Sequence, residues 1–471
     1  MPESPGPAGP PGAVREWLDR LPSALVGAAL LGLALLVYGL FGSDRIYNHF
    51  VLQAIAFLGG HVEIPIPAFQ DVLPIVGPDG RPTGYGLLPF PPLPAIVLMP
   101  FVALWGIATN ERLVSATLGA VAVGLAWWAL GRLSVSRSIR LATTVFFAFG
   151  TVFWYAAQLG TTWFFAHVVA ITFLLLAVGL ALGADPGADD EVDAAPGPRS
   201  LLTDLRNALA QPARLIDGRQ VLAGFLFGVA CAARLTIVFG APFFMFVGGG
   251  GSWVRRSISA GVGAAIPVGL LLAYNVATTG HLVHPGYDYL YGLEASGYPG
   301  LHYHPTWAIE DIRYLPQNLQ LMLFSTPALF PATTVSAVMA PTPLCVDPGA
   351  VRGLFDPACP IALPRDVGMS LLLTSPAYLL AVPALIAGRS RVVAGGFLAI
   401  LTIAIVNLMH FSQGWVQFGY RFSNDFVVFA LPLVALGMAR RGRVEWLGVI
   451  LIGLSLAINF WGVTWGNVQG W

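Results

Sequence analysis

A series of apolar segments, each about as long as a membrane is thick, is the feature that most constrains this chain. A helix needs about 20 apolar residues to cross the hydrocarbon core of a bilayer. The chain carries such segments at 21–41, 113–131, 138–155, 163–183, 257–278, 368–388, 392–411, 422–439 and 445–465. Charged residues make up 10% of the chain, whereas a soluble domain has about 25%. The pattern predicts an all-α polytopic membrane protein.

Arginine clusters predict the orientation of these segments, because short cytoplasmic loops carry an excess of basic residues. The 24 basic residues, all arginine, are balanced by 24 acidic residues, so the net charge does not indicate a nucleic-acid partner. The clusters are Arg132, Arg137 and Arg140; Arg199, Arg206, Arg214 and Arg219; Arg255 and Arg256; Arg389 and Arg391; and Arg440, Arg441 and Arg443. Placing every cluster inside, with an inside N-terminus, predicts about eleven crossings. Two of these are short halves of 220–248, a broken hairpin with Arg234 near its turn.

The same topology divides the chain into regions. They are a Pro/Gly-rich, disordered cytoplasmic N-terminus at 1–20; a transmembrane core at 21–278, with an outer loop at 43–112 and a cytoplasmic loop at 184–219; a long extracytoplasmic loop at 279–367; and C-terminal transmembrane helices at 368–471.

The outer loop is predicted to carry interfacial helices. Segment 89–105 cannot cross fully in this topology, and its LPFPPLP start suits a helix docked at the interface, because proline is tolerated in the first turn. In the later loop, Cys345 and Cys359 lie 14 positions apart and form either a disulfide or two free thiols.

Ionisable side chains gather on the predicted outer side. All eight histidines fall there, together with Arg234, Arg421 and Asp425. Charged groups at membrane depth are unfavourable in lipid and usually face an interior cavity, so this distribution predicts a polar cavity that opens outwards. Glu63 and Glu111 are interpreted as charges at the rim. The histidine pairs of the long loop lack the carboxylate context of a catalytic metal site, and no metal is predicted.

Two aspartates of the outer loop are candidate catalytic carboxylates. Helical spacing over 44–58 predicts one polar stripe, made of Arg45, His49 and Gln53 with Asp44 and Asn48 beside it. This helix either presents Asp44 to a substrate, or it lies at the interface with a solvated polar face and Asp44 caps its start. Asp71 is either the second candidate or a turn aspartate.

Arg234 and Arg421 are candidate anion ligands. An arginine at membrane depth either forms a structural ion pair or binds an anion, and its fork of donors matches phosphate oxygens. Asp425 follows Arg421 by one helical turn, so a structural pair between them is one alternative. No acidic residue lies near Arg234 in the sequence, and binding a phosphate group is one of its two alternatives.

Four short motifs together resemble a known family. In chain order they are SDRIYNHFVLQAIAFLGG after the first apolar segment, PFPPLP opening a helix, FWYAAQLGTTWFFAH between two segments, and GVACAARLT with a central basic residue. With this order the chain resembles the C superfamily of glycosyltransferases (GT-C), polytopic enzymes that use polyprenyl-phosphate sugars. It is similar to bacterial members of the protein mannosyltransferase and aminoarabinose transferase branch.

The resemblance implies a GT-C-like fold and an inverting transfer of a sugar to an acceptor hydroxyl. The active site would lie on the extracytoplasmic side of the cell membrane. Asp44 stands at the position of the family's catalytic base, and Arg45 replaces the second acid of many members, which keeps Asp71 as an alternative. Arg234 matches the basic residue that contacts the lipid phosphate. The implied partners are a polyprenyl-phosphate sugar donor, a hydroxyl acceptor and the bilayer, with no cofactor.

Several further residues complete the predicted site. The substrate-binding candidates are Arg234, Arg421, Asn48, His49, Tyr85, Gln158, His167, Tyr420 and Asp425. Where the family often has an acid, in the outer loop between the third and fourth spans, this chain has Gln158 to Thr162. That role is therefore either unfilled or passes to Gln158 and His167. The aromatic residues that could stack on sugar rings or form an interfacial belt are Tyr85, Tyr287, Tyr289 and Trp307.

Other functions share some of these features. A transporter or flippase of lipid-linked glycans would also need a polar cavity, but it should show broken helices in matching halves, and one broken element is visible here. A ligase that joins whole lipid-linked glycans would have a similar long outer loop. A non-catalytic scaffold would give the gathered polar residues no purpose.

Overall fold

A computed structural model describes residues 20–42, 47–67, 71–190, 198–210, 215–294, 304, 306–336, 340–388, 390–414, 416–440 and 444–471. Two residues of the predicted site region, Asp44 and Arg45, lie outside these ranges, as do residues 1–19 of the predicted N-terminal region.

Helices dominate the described chain. They are α1 (Ser23–Phe41), α2 (His49–Leu58), α3 (Leu93–Trp105), α4 (Glu111–Leu130), α5 (Arg137–Phe149), α6 (Phe153–Leu159), α7 (Thr162–Ala184), α8 (Pro198–Ala210), α9 (Gly218–Cys231), α10 (Pro242–Phe246), α11 (Trp253–Thr279), α12 (Gly286–Glu294), α13 (Leu315–Phe324), α14 (Leu371–Thr374), α15 (Val382–Ala387), α16 (Arg391–Met409), α17 (Val427–Ala439) and α18 (Trp446–Val468). The 3₁₀ helices include Leu235–Gly240, Pro376–Ala381 and Arg421–Asp425. The strands are β1 (Ile64–Pro65), β2 (Leu73–Val76), β3 (Pro82–Leu87), β4 (Ala328–Leu329) and β5 (Ala362–Leu363).

Long apolar helices make this a multi-pass membrane protein. Within the described ranges, six helices are long and apolar enough to cross a bilayer: α1, α4, α7, α11, α16 and α18. Helices α5 and α6 add a seventh if this pair, bent by 51°, forms one span. Each coincides with an apolar segment of the sequence, so the prediction of a helical multi-pass protein is confirmed.

The remaining predicted crossings are built from shorter pieces. Segment 220–248 consists of α9, the 3₁₀ helix Leu235–Gly240 and α10, and Arg234 lies at the break between the first two. Segment 368–388 is likewise interrupted, and 422–439 begins as a 3₁₀ helix before α17. The total of about eleven crossings stays a prediction.

Helix α7 is the centre of the bundle, because 83% of its apolar window is buried inside the protein. It packs against α4 and α9. Helix α9 in turn lies very close to α11, where Gly224 and Gly228 meet the backbone of Ala260 and Ala264. Small residues at such crossings allow close backbone approach, and any side chain at these glycines would push the two helices apart.

The described part of the predicted outer loop folds over one end of this bundle. Strands β1, β3 and β2 form an antiparallel sheet in which Ile64 pairs with Gly86 and Leu73 with Leu87. Helix α3 packs on α2 and α7, and the amide of Leu93 donates to the carbonyl of Ala232 at the end of α9. The loop helix therefore contacts the interrupted segment directly.

Helix α2 corrects the interpretation of a solvated polar face. His49 and Gln53 are 1% and 0% exposed. His49 Nδ1 shares a hydrogen bond of 2.9 Å with Thr162 Oγ1, and Gln53 Nε2 donates to the Tyr274 hydroxyl at 3.3 Å. The polar stripe therefore faces α7 and α11 rather than solvent. Buried polar groups need hydrogen-bond partners within the protein, and these two helices provide them.

Two other expectations about the loops have clear outcomes. Glu111 is 7% exposed at the start of α4 and is therefore not a rim charge, whereas the Glu63 side chain is 37% exposed. Cys345 and Cys359 form a disulfide. Its loop rests on α18, where the indole N–H of Trp465 donates to the carbonyl of Leu354.

Candidate functional site

A cavity of about 170 Å³ lies where the predicted outer loops meet the first turn of α7 and the segment before α17. Its polar lining includes Asp71, Arg421 and His410, and its aromatic walls include Tyr47, Trp163 and Tyr287. A cavity with ionisable side chains therefore lies at this end of the bundle, although most of its lining is aromatic or apolar; that it opens outwards stays a prediction. A charged pair of opposite sign, framed by aromatic rings, is its main chemical feature.

Asp71 reaches this cavity from the residues just before β2. Its side chain is 7% exposed, and the indole N–H of Trp163 donates to its Oδ2 at 2.9 Å. Burial raises the pKa of the Asp71 carboxyl to about 6, although the Trp163 hydrogen bond and the positive charge of Arg421 oppose that rise. Asp71 is therefore not an exposed turn aspartate but a buried carboxyl whose pKa is raised to about 6.

Arg421 begins the 3₁₀ helix Arg421–Asp425 and also faces the cavity. Its guanidinium carbon lies 5.6 Å from the centre of the Phe164 ring and 5.3 Å from that of Phe422. The backbone of Gly414, at φ +82°, runs directly against the guanidinium. A side chain at Gly414 would occupy the space that Arg421 needs.

Arg234 occupies a different environment from the one its sequence neighbours suggest. Its Nε and Nη2 donate to the two oxygens of Asp425 at 3.0 and 2.8 Å. Thr236 and Asn407 donate to the same carboxylate at 2.9 and 3.1 Å, and His167 Nδ1 lies 3.0 Å from it. Asp425 therefore pairs with Arg234 in the structure. It does not form the local pair with Arg421 that the sequence spacing suggested.

This buried ion pair sits directly behind the cavity wall. Asp425 is fully buried, while the Arg234 side chain is 19% exposed. The guanidinium of Arg234 lies 5.4 Å from the centre of the Phe422 ring, the ring that Arg421 also contacts. The Arg234–Asp425 pair therefore fixes the segment that carries Arg421.

The other predicted residues divide between the cavity and its surroundings. His49 is behind the wall, with its ring 5.9 Å from that of Trp163, and Asn48 is half-buried beside it. Gln158 and Tyr420 are fully buried outside the lining. Tyr85 is 48% exposed on β3, away from the cavity. Asp44 lies outside the described residues.

Several lining residues carried little signal in the sequence. Trp163 lies in the first turn of α7, and its ring packs edge-to-face on that of Tyr47 at 5.2 Å. Both fall inside the motifs quoted above, which did not distinguish them from their aromatic neighbours. Of the proposed stacking residues, Tyr287 lines the cavity, and burial raises its pKa to about 12. It is therefore neutral at physiological pH.

The arrangement can accept a proton and bind an anion within one cavity. A carboxyl with a pKa of about 6 is suited to general-base chemistry, and the guanidinium stabilises negative charge. Among the described residues, no group of three or more His, Cys, Asp or Glu side chains is placed to hold a metal ion. Comparison with protein-family models, with curated proteins and with solved structures finds no match to this chain.

Proposed function

We propose that this protein is a GT-C-type glycosyltransferase, which moves a sugar from a polyprenyl-phosphate donor to an acceptor hydroxyl on the extracytoplasmic side. One observation carries the proposal: Asp71 and Arg421 line the same aromatic-walled cavity, and the charge of one influences the pKa of the other. A base and an anion ligand are the two groups that this reaction requires.

In the proposed reaction, Asp71 removes the proton from the acceptor hydroxyl as its oxygen attacks the anomeric carbon. The bond between that carbon and the phosphate oxygen breaks, with inversion, and the polyprenyl phosphate leaves as an anion. Arg421 stabilises the charge that develops on the phosphate. Aromatic side chains such as Trp163 and Tyr287 provide flat surfaces for the sugar.

The proposal assigns the phosphate contact to Arg421 rather than to Arg234. Arg234 already makes a two-pronged contact with a fully buried carboxylate, and displacing it would leave Asp425 without its main counter-charge. Its role in the proposal is to hold the 3₁₀ helix in position. Asp44 stays the alternative base that the family resemblance implies.

The proposed topology has eleven crossings. Six are long helices and one is the bent α5–α6 pair. The others are α9, the segment ending in α10, the interrupted α14–α15 segment, and α17. Short crossings are compatible with a membrane where their backbone is buried in protein.

A transfer assay tests the proposal. Purified protein in nanodiscs is given a panel of radiolabelled polyprenyl-phosphate sugars, and the release of sugar from the lipid is measured. We expect turnover in the wild type, its loss in Asp71→Asn, and full retention in Asp79→Asn, since Asp79 lies in an exposed turn.

The other outcomes identify what replaces the proposal. Loss of turnover in Asp44→Asn, with Asp71→Asn active, moves the base to Asp44. Absence of turnover with every donor, together with movement of lipid-linked sugar across the bilayer, identifies a flippase instead. Release of whole glycans rather than single sugars identifies a ligase.

A further inference from the structure

The end of the bundle opposite the cavity carries three arginines around two neighbouring tryptophan rings. Helix α4 starts near the cavity and ends at Leu130, and Arg132 and Arg137 follow in the turn and at the start of α5. The Arg140 guanidinium carbon lies 3.6 Å from the centre of the Trp127 ring, and that of Arg137 lies 5.9 Å from it. Arg132 lies 4.9 Å from the ring centre of Trp128. We call these five residues the arginine–tryptophan corner.

One of the three arginines has a structural role. Arg140 Nε donates to the carbonyl of Trp127 at 2.6 Å, and its Nη1 donates to Ser23 Oγ at 3.1 Å. It therefore caps the last turn of α4 and ties this turn to the start of α1. Arg132, by contrast, is exposed.

The corner holds more positive charge than its neighbours neutralise. Among the described residues, neither Arg132 nor Arg140 forms an ion pair with a carboxylate. Asp189 approaches the same turn, where its carboxylate accepts the backbone N–H of Ser134 at 2.6 Å, and its one negative charge offsets only part of the charge of the three arginines. A concentration of guanidinium groups at a membrane surface attracts anionic headgroups.

We propose that the arginine–tryptophan corner binds the phosphate of an anionic phospholipid from the adjoining leaflet. A guanidinium presents paired donors that match phosphate oxygens. The partly exposed Trp128 ring suits the headgroup region of a bilayer, whereas Trp127 is buried and packs against Arg137 and Arg140. An apolar surface for the acyl chains lies next to the corner, because Leu25 and Leu36 on α1 are 55% and 59% exposed. Both parts of a phospholipid therefore have a matching surface.

The site is independent of the proposed transfer reaction. It lies at the other end of α4 and α7 from the cavity, where Gly183 of α7 is beside Arg132. Binding there would anchor the α1–α4–α5 corner in its leaflet.

Native mass spectrometry of the full-length protein tests the proposal. Protein in mild detergent is titrated with phosphatidylglycerol or with phosphatidylcholine of the same acyl chains, and bound lipid is counted. We expect phosphatidylglycerol to bind the wild type more tightly, and Arg132→Gln/Arg137→Gln to weaken that binding by about fivefold or more. Arg206→Gln/Arg219→Gln is the matched control, because it removes two exposed arginines elsewhere and should leave binding unchanged.

Three results would overturn the proposal. They are equal binding of the two lipids by the wild type, an equal loss in the control variant, and displacement of phosphatidylglycerol by an equimolar amount of inorganic phosphate, which would indicate a general anion site. Gel filtration checks that each variant folds. If the double variant does not fold, Arg132→Gln alone decides by the same comparison, since Arg132 is exposed.

Discussion

The indole N–H of Trp163 donates a hydrogen bond of 2.9 Å to Oδ2 of Asp71, although the two residues are 92 positions apart in the chain. This contact joins the outer loop to the first turn of α7 at the wall of the cavity. It also favours the ionised carboxylate, against the effect of burial. The chemistry of Asp71 therefore depends on α7 as well as on the loop.

Asp71→Asn should make the folded protein more stable above pH 6. The pKa of Asp71 is about 6 in the folded protein, against an ordinary value of 3.8 for an aspartate carboxyl, so the folded state binds the proton more tightly. Its stability therefore falls as the pH rises from about 4 to about 6 and stays lower above that range. The asparagine variant avoids this loss, and we expect a gain of about 2–3 kcal/mol at pH 8 that disappears near pH 3.

Thermal unfolding of the wild type and of Asp71→Asn, measured at both pH values, checks this expectation. Asp79→Asn, which changes an exposed aspartate, should show no such pH-dependent gain. A constant difference between Asp71→Asn and the wild type at both pH values would contradict the assigned pKa.

Trp163→Phe should move the pH dependence of activity upwards. In the wild type, turnover should rise through about pH 6 as the Asp71 carboxyl loses its proton. Removing the indole N–H takes away a hydrogen bond that lowers this pKa, so the midpoint shifts to higher pH. The measurement is a pH–rate profile, with Trp446→Phe as the control because Trp446 is 81% exposed on α18. An unchanged midpoint would show that the hydrogen bond does not tune Asp71.

Arg234→Gln should destabilise the protein far more than the double variant Arg234→Gln/Asp425→Asn does. Leaving Asp425 buried without its bidentate partner costs about 3–5 kcal/mol, whereas Arg234→Gln/Asp425→Asn removes both charges. We expect a clear positive coupling in a double-mutant cycle of thermal unfolding. Arg313→Gln, at the exposed pair with Asp311, should have little effect. Additive losses in the cycle would argue against the structural role of Arg234.

Gly414→Ala should lower turnover by displacing the Arg421 guanidinium. A methyl group at Gly414 would collide with that guanidinium, in addition to the strain of φ +82°. Gly60→Ala separates the two effects, because Gly60 has φ +76° but no neighbouring atoms within 4 Å of the added methyl group. Both variants should lose about 1 kcal/mol of stability, and only Gly414→Ala should lose about tenfold or more in turnover. Equal activity in the two variants would remove Arg421 from the proposed anion site.

The long spans could be predicted from the sequence because each is a local property of about 20 residues. The partners of the charged groups could not. Arg234 and Asp425 are 191 positions apart, and no local pattern connects them. Arg421 and Asp425 appeared to be neighbours on a helix, but Arg421–Asp425 is a 3₁₀ helix, in which the residues that align are three apart rather than four.

The burial of the polar residues could not be predicted from the sequence either. The periodicity of α2 identified the polar stripe that contains His49 and Gln53, but spacing along one helix does not indicate whether such a stripe meets water or another helix. Glu111 was misjudged for the same reason, since only the packing of α4 places its side chain inside. Asp71 had two interpretations in the sequence. Its burial against Trp163 excludes an exposed turn aspartate, and its catalytic role stays a prediction.

The buried contacts of α2 also impose an order on biogenesis. His49 bonds to Thr162, 113 residues later in the chain, and Gln53 bonds to Tyr274, 221 residues later. During synthesis, α2 therefore emerges long before the helices that satisfy its polar groups. The outer loop can reach its final position only after α11 has entered the membrane. Ribosome-stalled intermediates that end before residue 274 should accordingly leave this loop open to protease.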